Sequence, residues 1–393
     1  MIYLDNAATT LIKPPGVSKN TAWAVAHLAT PGRGSHRAAM DAAETAYQCR
    51  AAAAKLFHVS DPENIVFTFN ATHALNIAIK SLVRRDDKVI ISGYEHNSVT
   101  RPLQAIGARV MVAASELFEP EMALHAFERR LSPDTALVVC NHVSNVFGYI
   151  LPVERIAEAC RERRIPFVLD ASQSAGVLDI DFEKLGAAFV CMPGHKGLFG
   201  PQGTGLLLCA RRPETLLEGG TGSLSLSADM PSVLPDRLEA GTHNMPGIAG
   251  LLAGLEYIEK KQTKNILAHE RSLIEYAADN LIKQDRVRIF KSEYGFCQSG
   301  VLSFIVEGIP CEAVGEALSN RGIAVRTGLH CAPLAHKTAG TVKTGTIRIS
   351  VSPFNTKREI SAFTSAVEDV TKELGASYPA RQTFAYPFPE NSR

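Results

Sequence analysis

The sequence predicts an α/β fold: a large, mostly parallel sheet with helices on both faces, and a smaller α+β domain beside it. The first observation is alternation. Short runs rich in β-branched and other apolar residues (NIVFTF, KVIIS, ARVMVA, TALVVC, IPFVLD, AAFVCM and TGLLLCA) are separated by amphipathic stretches such as EMALHAFERRL and VERIAEACRERR. Strands that alternate with helices pair in parallel, because a parallel neighbour requires a crossover long enough to hold a helix. The second is length: 393 residues exceed one ordinary core and suit two packed domains. The third is a change of character after about residue 258, where a long polar helix, KKQTKNILAHERSLIEYAADNLIK, leads to the strands SGVLSFIV, IAVRT and GTIRISVS, with helices such as CEAVGEALSNRG between them. These place a large domain at 15–258 and a small one at 1–14 with 259–393. The last stretch, ASYPARQTFAYPFPENSR, is rich in Pro and polar residues and is expected to be a loosely held tail.

Apolar residues make up 46% of the chain and charged residues 21%, an ordinary globular balance. The formal net charge is +1 and no basic run occurs, so neither nucleic acid nor an anionic membrane is expected as a partner. The opening MIYLDNAATT lacks the pattern of a secretory signal, and no apolar stretch is long enough to span a bilayer. Eight cysteines are scattered without a C-x-x-C pair, the pattern of a reduced, cytoplasmic protein. Most sit in apolar segments such as ALVVC and AAFVC, where a cysteine behaves as a small buried hydrophobe. Cys331 lies in a loop instead.

In parallel sheets ligands bind beyond the carboxyl ends of the strands, so residues just past the apolar runs are the candidates for chemistry. AAFVCMPGHKGLFGPQGTGLLLCA places His195 and Lys196 in a glycine-rich turn between two apolar strands. A lone G-x-K would read as a surface turn, and GHKG lacks the spacing of a Walker A phosphate loop. In IPFVLDASQSAG, Asp170 ends a strand, where it either serves a ligand or caps a following helix. TFNATHALNIAIKSL runs from strand through polar turn to helix, the arrangement that presents backbone N–H groups to an anion. Ala71, Thr72 and His73 are the candidates, with Thr72 equally readable as a helix cap. ISGYEHNSV brings His96, and NHVSNVFG brings Asn145, past further strands. IAVRTGLHCAPLAHKTAGTVKTGTIRISVS combines Arg326, a turn, Cys331 and Arg348. Outside a hydrophobic run and near positive charge, a cysteine gains thiolate character. A zinc site of His330, Cys331 and His336 would lack a fourth ligand, so no metal is expected.

Several of these segments, in order from YLDNAATT to RISVSPFNT, resemble the cysteine desulfurase and selenocysteine lyase family of pyridoxal-5′-phosphate (PLP) enzymes. The carriers are GHK followed by GPQGTG, the D-x-x-Q element at Asp170 and Gln173, the EH pair, and the R-T-G-x-H-C-A core. The resemblance implies the fold type I architecture of class V aminotransferases. It implies Lys196 as Schiff-base residue and proton carrier, and Asp170 as partner of the pyridinium nitrogen. Gln173 becomes donor to the ring's O3′, and His96 the ring-stacking residue with an acid–base role. His195, Ala71, Thr72, His73 and Asn145 complete the cofactor contacts, while Thr242 in GTHNMPGIAG reaches the phosphate of the neighbouring subunit of a homodimer. Arg348, Arg326 and Asn145 become substrate-carboxylate contacts, and Cys331 the thiolate that takes sulfur from L-cysteine, leaving alanine and a persulfide for a sulfur-acceptor protein. The short interval between RTG and Cys331, and PGRGSHRAA near the N-terminus, are similar to the subgroup containing selenocysteine lyases, so L-selenocysteine is the alternative substrate. A class V aminotransferase is the other alternative, for which Cys331 would be dispensable. Three positions depart from the family pattern: Pro193 replaces a phosphate-contacting Ser or Thr, His73 an acidic residue, and Asn97 a second histidine.

Overall fold

A strand covered on both faces needs no polar alternation, and the apolar runs of this chain form such strands. The computed structural model describes residues 1–32 and 34–378. Arg33 of PGRGSHRAA and residues 379–393, most of the expected tail, lie outside the described residues.

The chain begins with the short strand β1 (Ile2–Tyr3). Seven strands then form the large sheet: β2 (Ile65–Thr68), β3 (Lys88–Ser92), β4 (Arg109–Ala113), β5 (Thr135–Asn141), β6 (Phe167–Asp170), β7 (Phe189–Pro193) and β8 (Gly205–Cys209). Their order is β2-β8-β7-β6-β5-β3-β4, and only β8 runs antiparallel to its neighbours. Side chains alternate between two cores, as the strand period demands. Ile90 and Val138 join Phe57, Phe127 and Ile156 on one face, whereas Val89, Ile91, Leu137 and Val139 join Leu75, Ile79 and Leu103 on the other. Helices therefore cover both faces.

The remaining strands are β9 (Val287–Phe290), β10 (Val301–Val306), β11 (Ile323–Ala324), β12 (Arg326–Gly328) and β13 (Thr346–Ser350). A four-stranded antiparallel sheet has the order β12-β13-β10-β9, while β1 pairs in parallel with β11. The N-terminus thus packs beside the last third of the chain. A third core, including Leu273, Phe304, Leu318 and Phe363, joins this sheet to the helices Thr263–Leu281, Cys311–Asn320 and Lys357–Ser377.

Two local expectations change. The long polar helix expected from KKQTK to NLIK starts only at Thr263 (Thr263–Leu281), because its first two residues end the preceding helix, Met245–Lys261, and Gln262 separates the two. Gln262 takes a left-handed φ of 68° while its N–H still caps Ile258 O at 2.7 Å, which ends one helix and redirects the chain into the next. IAVRT is likewise two strands, β11 and β12, that join different sheets on either side of Val325. Among the described residues no helix is long and apolar enough to cross a membrane.

Phe304 and Phe363 meet edge-on, with ring centroids 6.0 Å apart, in the core of the smaller sheet. Phe363→Ala should destabilise the protein by about 3–5 kcal/mol, seen as a lower urea midpoint. An unchanged midpoint would show that this core does not limit unfolding.

Candidate active site

Beyond the carboxyl ends of β5, β6 and β7 lies a cleft of about 830 Å³, closed on its far side by residues of β12, β13 and the loop between them. Ala71, Thr72, His96, Asn145, Asp170, Gln173, His195, Lys196, Arg326, Cys331 and Arg348 all line it. His73 and Thr242 do not. They line a separate pocket of about 540 Å³ with Phe67, Phe69 and Leu238.

Lys196 sits in a tight turn after β7. Gly194 donates to Thr204 O at 2.8 Å, and a Cβ on Gly194 would lie 2.1 Å from Thr204 Oγ1, so only glycine fits. The N-terminal segment clamps this turn, because His195 O accepts from Lys13 Nζ at 2.9 Å and from Thr10 Oγ1 at 3.1 Å. Burial lowers the Lys196 amine to about 8, with Asp170 opposing and Arg348 and Arg326 reinforcing the shift. Burial, helped by Lys196 and Lys13, also lowers His195 to about 4, and its Nδ1 has no partner.

Asp170 is the last residue of β6, and no helix follows it until Phe182–Leu185, so it is not a helix cap. Its Oδ1 accepts from Ser172 N at 2.9 Å and from Ser172 Oγ, leaving Oδ2 for the cleft. Gln173 Nε2 donates to Ala7 O at 2.9 Å and retains a second N–H.

The helix Ala71–Leu82 opens on the cleft. Its cap is Asn70, whose Oδ1 accepts from His73 N at 2.9 Å, rather than Thr72. The N–H groups of Ala71 and Thr72 are left without an intrahelical partner, as at any helix start. The His73 N–H is consumed by the cap and its ring stacks on Phe69 with centroids 4.6 Å apart, which takes it out of the cleft. Thr72 Oγ1 lies 2.8 Å from Ser98 Oγ, itself 2.9 Å from His96 Nδ1. His96 caps the helix Asn97–Ile106, its Nδ1 accepting from Ser98 N at 3.0 Å. Burial lowers its pKa, so the ring is a neutral plate with Nε2 as its N–H side.

Arg348 lies within β13, 2% exposed, in register with Arg326 of β12. It donates to Asp5 Oδ1 at 2.6 Å and to Asn145 O at 2.9 Å, while its Nε has no partner. Asn145 Nδ2 in turn donates to His330 O at 2.9 Å, and Asn97 N to Cys331 O at 2.9 Å. These two bonds hold a loop in which His330 and Cys331 both adopt left-handed φ, 49° and 57°. Of the eight cysteines Cys331 alone is exposed. The His330 ring turns inward to Thr346 Oγ1 at 3.0 Å and stacks against His336.

Asp5, Asn70 and Ser98 were not singled out from the sequence, although each shapes the cleft. The signal for Asp5 was its place in YLDNAATT, and for Asn70 an Asn directly before the helical run.

The donor set fits PLP. Two free N–H groups at a helix start suit a phosphate, a carboxylate ends β6, a neutral ring can stack, and the buried amine carries a lowered pKa. Arginines for a carboxylate and an exposed thiol complete the cleft.

Comparison with known proteins agrees. Residues 2–363 match the family described as aminotransferase class-V. A protein of Pyrococcus abyssi named a probable cysteine desulfurase is 31% identical over 96% of both chains. One of Haemophilus influenzae with the same name is 33% identical, covering 94% of this chain and 85% of its own. Among solved structures, the apo cysteine desulfurase of Thermococcus onnurineus superposes with a TM-score of 0.88 at 31% identity over 95% of each chain. The Escherichia coli cysteine desulfurase gives 0.83 at 27% identity over 94% of each. With the cleft at the strand ends and the match spanning nearly its full length, the chain belongs to the class V aminotransferase family, alongside the cysteine desulfurases.

Proposed function

We propose that the chain is a PLP-dependent cysteine desulfurase, which takes the sulfur of L-cysteine onto Cys331 as a persulfide and releases L-alanine. The observation that carries this reading is the presence, in one cleft, of the buried Lys196 amine and the exposed Cys331 thiol. A plain aminotransferase has no use for the second.

When bound, PLP supplies an electron sink for bonds at the substrate α-carbon. Lys196, desolvated and beside two arginines, is neutral often enough near neutral pH to act as nucleophile and then as proton carrier. Asp170, at the end of β6, would hold the pyridine nitrogen, and the second N–H of Gln173 would serve O3′. Ala71 and Thr72 hold the phosphate through their N–H groups, with His195 as a further cofactor contact. Pro193 offers no hydroxyl there, whereas Ser98 beside Thr72 does. His96 would stack on the ring, with Nε2 as the side left for proton exchange. Arg348 and Arg326, with Asn145, bind the substrate carboxylate. Cys331 Sγ forms the S–S bond as the substrate C–S bond breaks, and protons delivered to the carbon skeleton complete alanine.

Thr242 and His73 fit a homodimer, since their pocket is separate from the cleft, carries exposed aromatic surface at Phe69 and suits contact with a second copy. An exposed persulfide suits transfer to a sulfur-acceptor protein. Eight unpaired cysteines suit the cytoplasm. A core drawn wholly from Leu4 and residues 273–370 suits a small domain of 1–14 with 259–393 beside a large one of 15–258.

Sulfide and alanine should form from L-cysteine in the presence of reductant. Cys331→Ser should abolish sulfide release, and Lys196→Ala should remove the visible cofactor band and slow turnover on the order of 10²–10⁴-fold. Full sulfide release by Cys331→Ser, or amino transfer to a keto acid unaffected by it, would overturn the assignment. L-selenocysteine at equal concentration decides between the two substrates: loss of the Cys331 requirement with selenocysteine alone, and faster turnover, would identify a lyase.

A second expectation follows from the lowered amine pKa. Only the neutral amine condenses with an aldehyde, so PLP uptake by the apoprotein should quicken as pH rises and level off above about 8. A midpoint near that of an ordinary lysine would contradict the burial argument.

A further inference from the structure

We infer that Glu95 is held as a neutral carboxylic acid in the folded protein, donating its O–H to Ser92 Oγ and thereby fixing Asn141 in the wall of the cleft. The inference comes from counting hydrogens. Three polar atoms surround Ser92 Oγ: Tyr94 N at 3.1 Å, Glu95 Oε1 at 2.6 Å and Asn141 Oδ1 at 2.7 Å. The Tyr94 N–H is necessarily a donor. The orientation of Asn141 is set independently, because its Nδ2 donates to Tyr94 O at 3.1 Å, which leaves Oδ1 facing Ser92. A hydroxyl carries one hydrogen, so Ser92 can serve either Oε1 or Oδ1, not both.

With Glu95 ionised, one of two short oxygen–oxygen contacts would have no hydrogen between its atoms. With the proton on Oε1 every position is filled. Glu95 Oε1–H donates to Ser92 Oγ, Ser92 O–H donates to Asn141 Oδ1, and Oε1 still accepts from Asn141 N at 2.8 Å. The remaining oxygen, Oε2, is buried without a partner, a place that suits a carbonyl oxygen far better than an anionic one. The titratable groups facing Glu95 are Asp170 on β6 and the Cys140 thiol on β5, and among the described residues no cation contributes to its shift, Lys196 acting on Asp170 instead. Burial first, and Asp170 with it, push the carboxyl up to about 8 against the Ser92 and Asn141 hydrogen bonds.

Asn141 pairs in register with Asp170 across β5 and β6 and lines the cleft, and Glu95 directly precedes His96. Glu95 is therefore a positioning residue. Its proton frees the Ser92 hydroxyl to hold Asn141 Oδ1 and leaves no second charge beside Asp170 at the ring end. That last consequence rests on the PLP reading, while the protonation state itself does not.

Infrared difference spectroscopy of the full chain tests this without cofactor or activity. Wild type minus Glu95→Gln at neutral pH should show one carboxylic-acid C=O band, shifted in D2O, and no carboxylate pair. A carboxylate pair in its place would overturn the inference. Should Glu95→Gln fail to fold, Ser92→Ala decides: the acid band should persist at higher frequency, since its acceptor is gone, and no shift or no band would refute the O–H to Ser92 bond. In the holoenzyme, the pH midpoint of the visible band should be the same in wild type and Glu95→Gln. A lower midpoint in the variant would mean that a charge had been removed beside Asp170. Absence of any visible band would count against the PLP reading and leave the infrared result to stand by itself.

Discussion

The cleft depends on one buried cation. The Arg348 guanidinium sits inside β13, beside the like charge of Arg326, and is drawn out of water by the packing of the two sheets. Removing such a group from water costs several kcal/mol, about what a well-made pair returns. Here the return is incomplete, since Asp5 and the Asn145 carbonyl take two donors and Nε has none. The compensation nevertheless joins three distant pieces of chain: the N-terminal segment, the loop after β5, and the smaller sheet. Asp5 is held against Arg348 by this bond and by its bridge to Ser350. The same segment then reaches on through Thr10 and Lys13 to clamp the lysine turn. An arginine left short of partners is a poor choice for stability and a good one for a site that takes carboxylates.

Lys196 and Cys331 require opposite surroundings, and the fold supplies both within one cavity. The amine is brought down to about 8 because it is dry and near other cations, Asp170 opposing them. A thiol that passes on an atom has to be reached from outside, and Cys331 is the exposed one, while the other seven are buried. Burial drives those thiols upward, Cys49 and Cys160 to about 12, which silences them as nucleophiles. Exposure does not make the Cys331 loop slack. Its backbone is tied through both the His330 and Cys331 carbonyls, and the inward His330 ring anchors it.

What the sequence revealed follows the range of the interactions involved. The parallel sheet was legible because each strand carries its own apolar signature, Lys196 and Asp170 because they stand at or just past the ends of such strands, and Cys331 because it lies in a loop, within the R-T-G-x-H-C-A core, rather than in an apolar run. The break at Gln262 was not, since KKQTK holds neither Gly nor Pro, and the exposed glutamine that turns the chain there does so with only local bonds, to Ile258 O and Glu259 O. His73 was grouped with Ala71 and Thr72 by adjacency, yet successive helical residues point about 100° apart, which follows from 3.6 residues per turn. Two neighbours can face the cleft while the third faces Phe69. Asp5 acts across 343 residues of sequence on Arg348, a pairing that no local pattern displays.

Two helices begin side by side at the cleft, one capped by Asn70 and the other by His96, with Thr72 and Ser98 bonded between them. Helix N-termini favour anions, so this end of the cleft is electropositive before any side chain is counted. The same field opposes protonation of His96, in the direction that burial already pushes it. Capping adds a geometric reason, because a proton on Nδ1 would evict the Ser98 N–H that Nδ1 accepts. An uncharged imidazole is what a stacking plate requires, and an anion cradle is what a phosphate requires. Both come from the start of the same pair of helices, which is why the ring-stacking and phosphate-binding residues lie together at the strand ends although Thr72 and His96 belong to different crossovers.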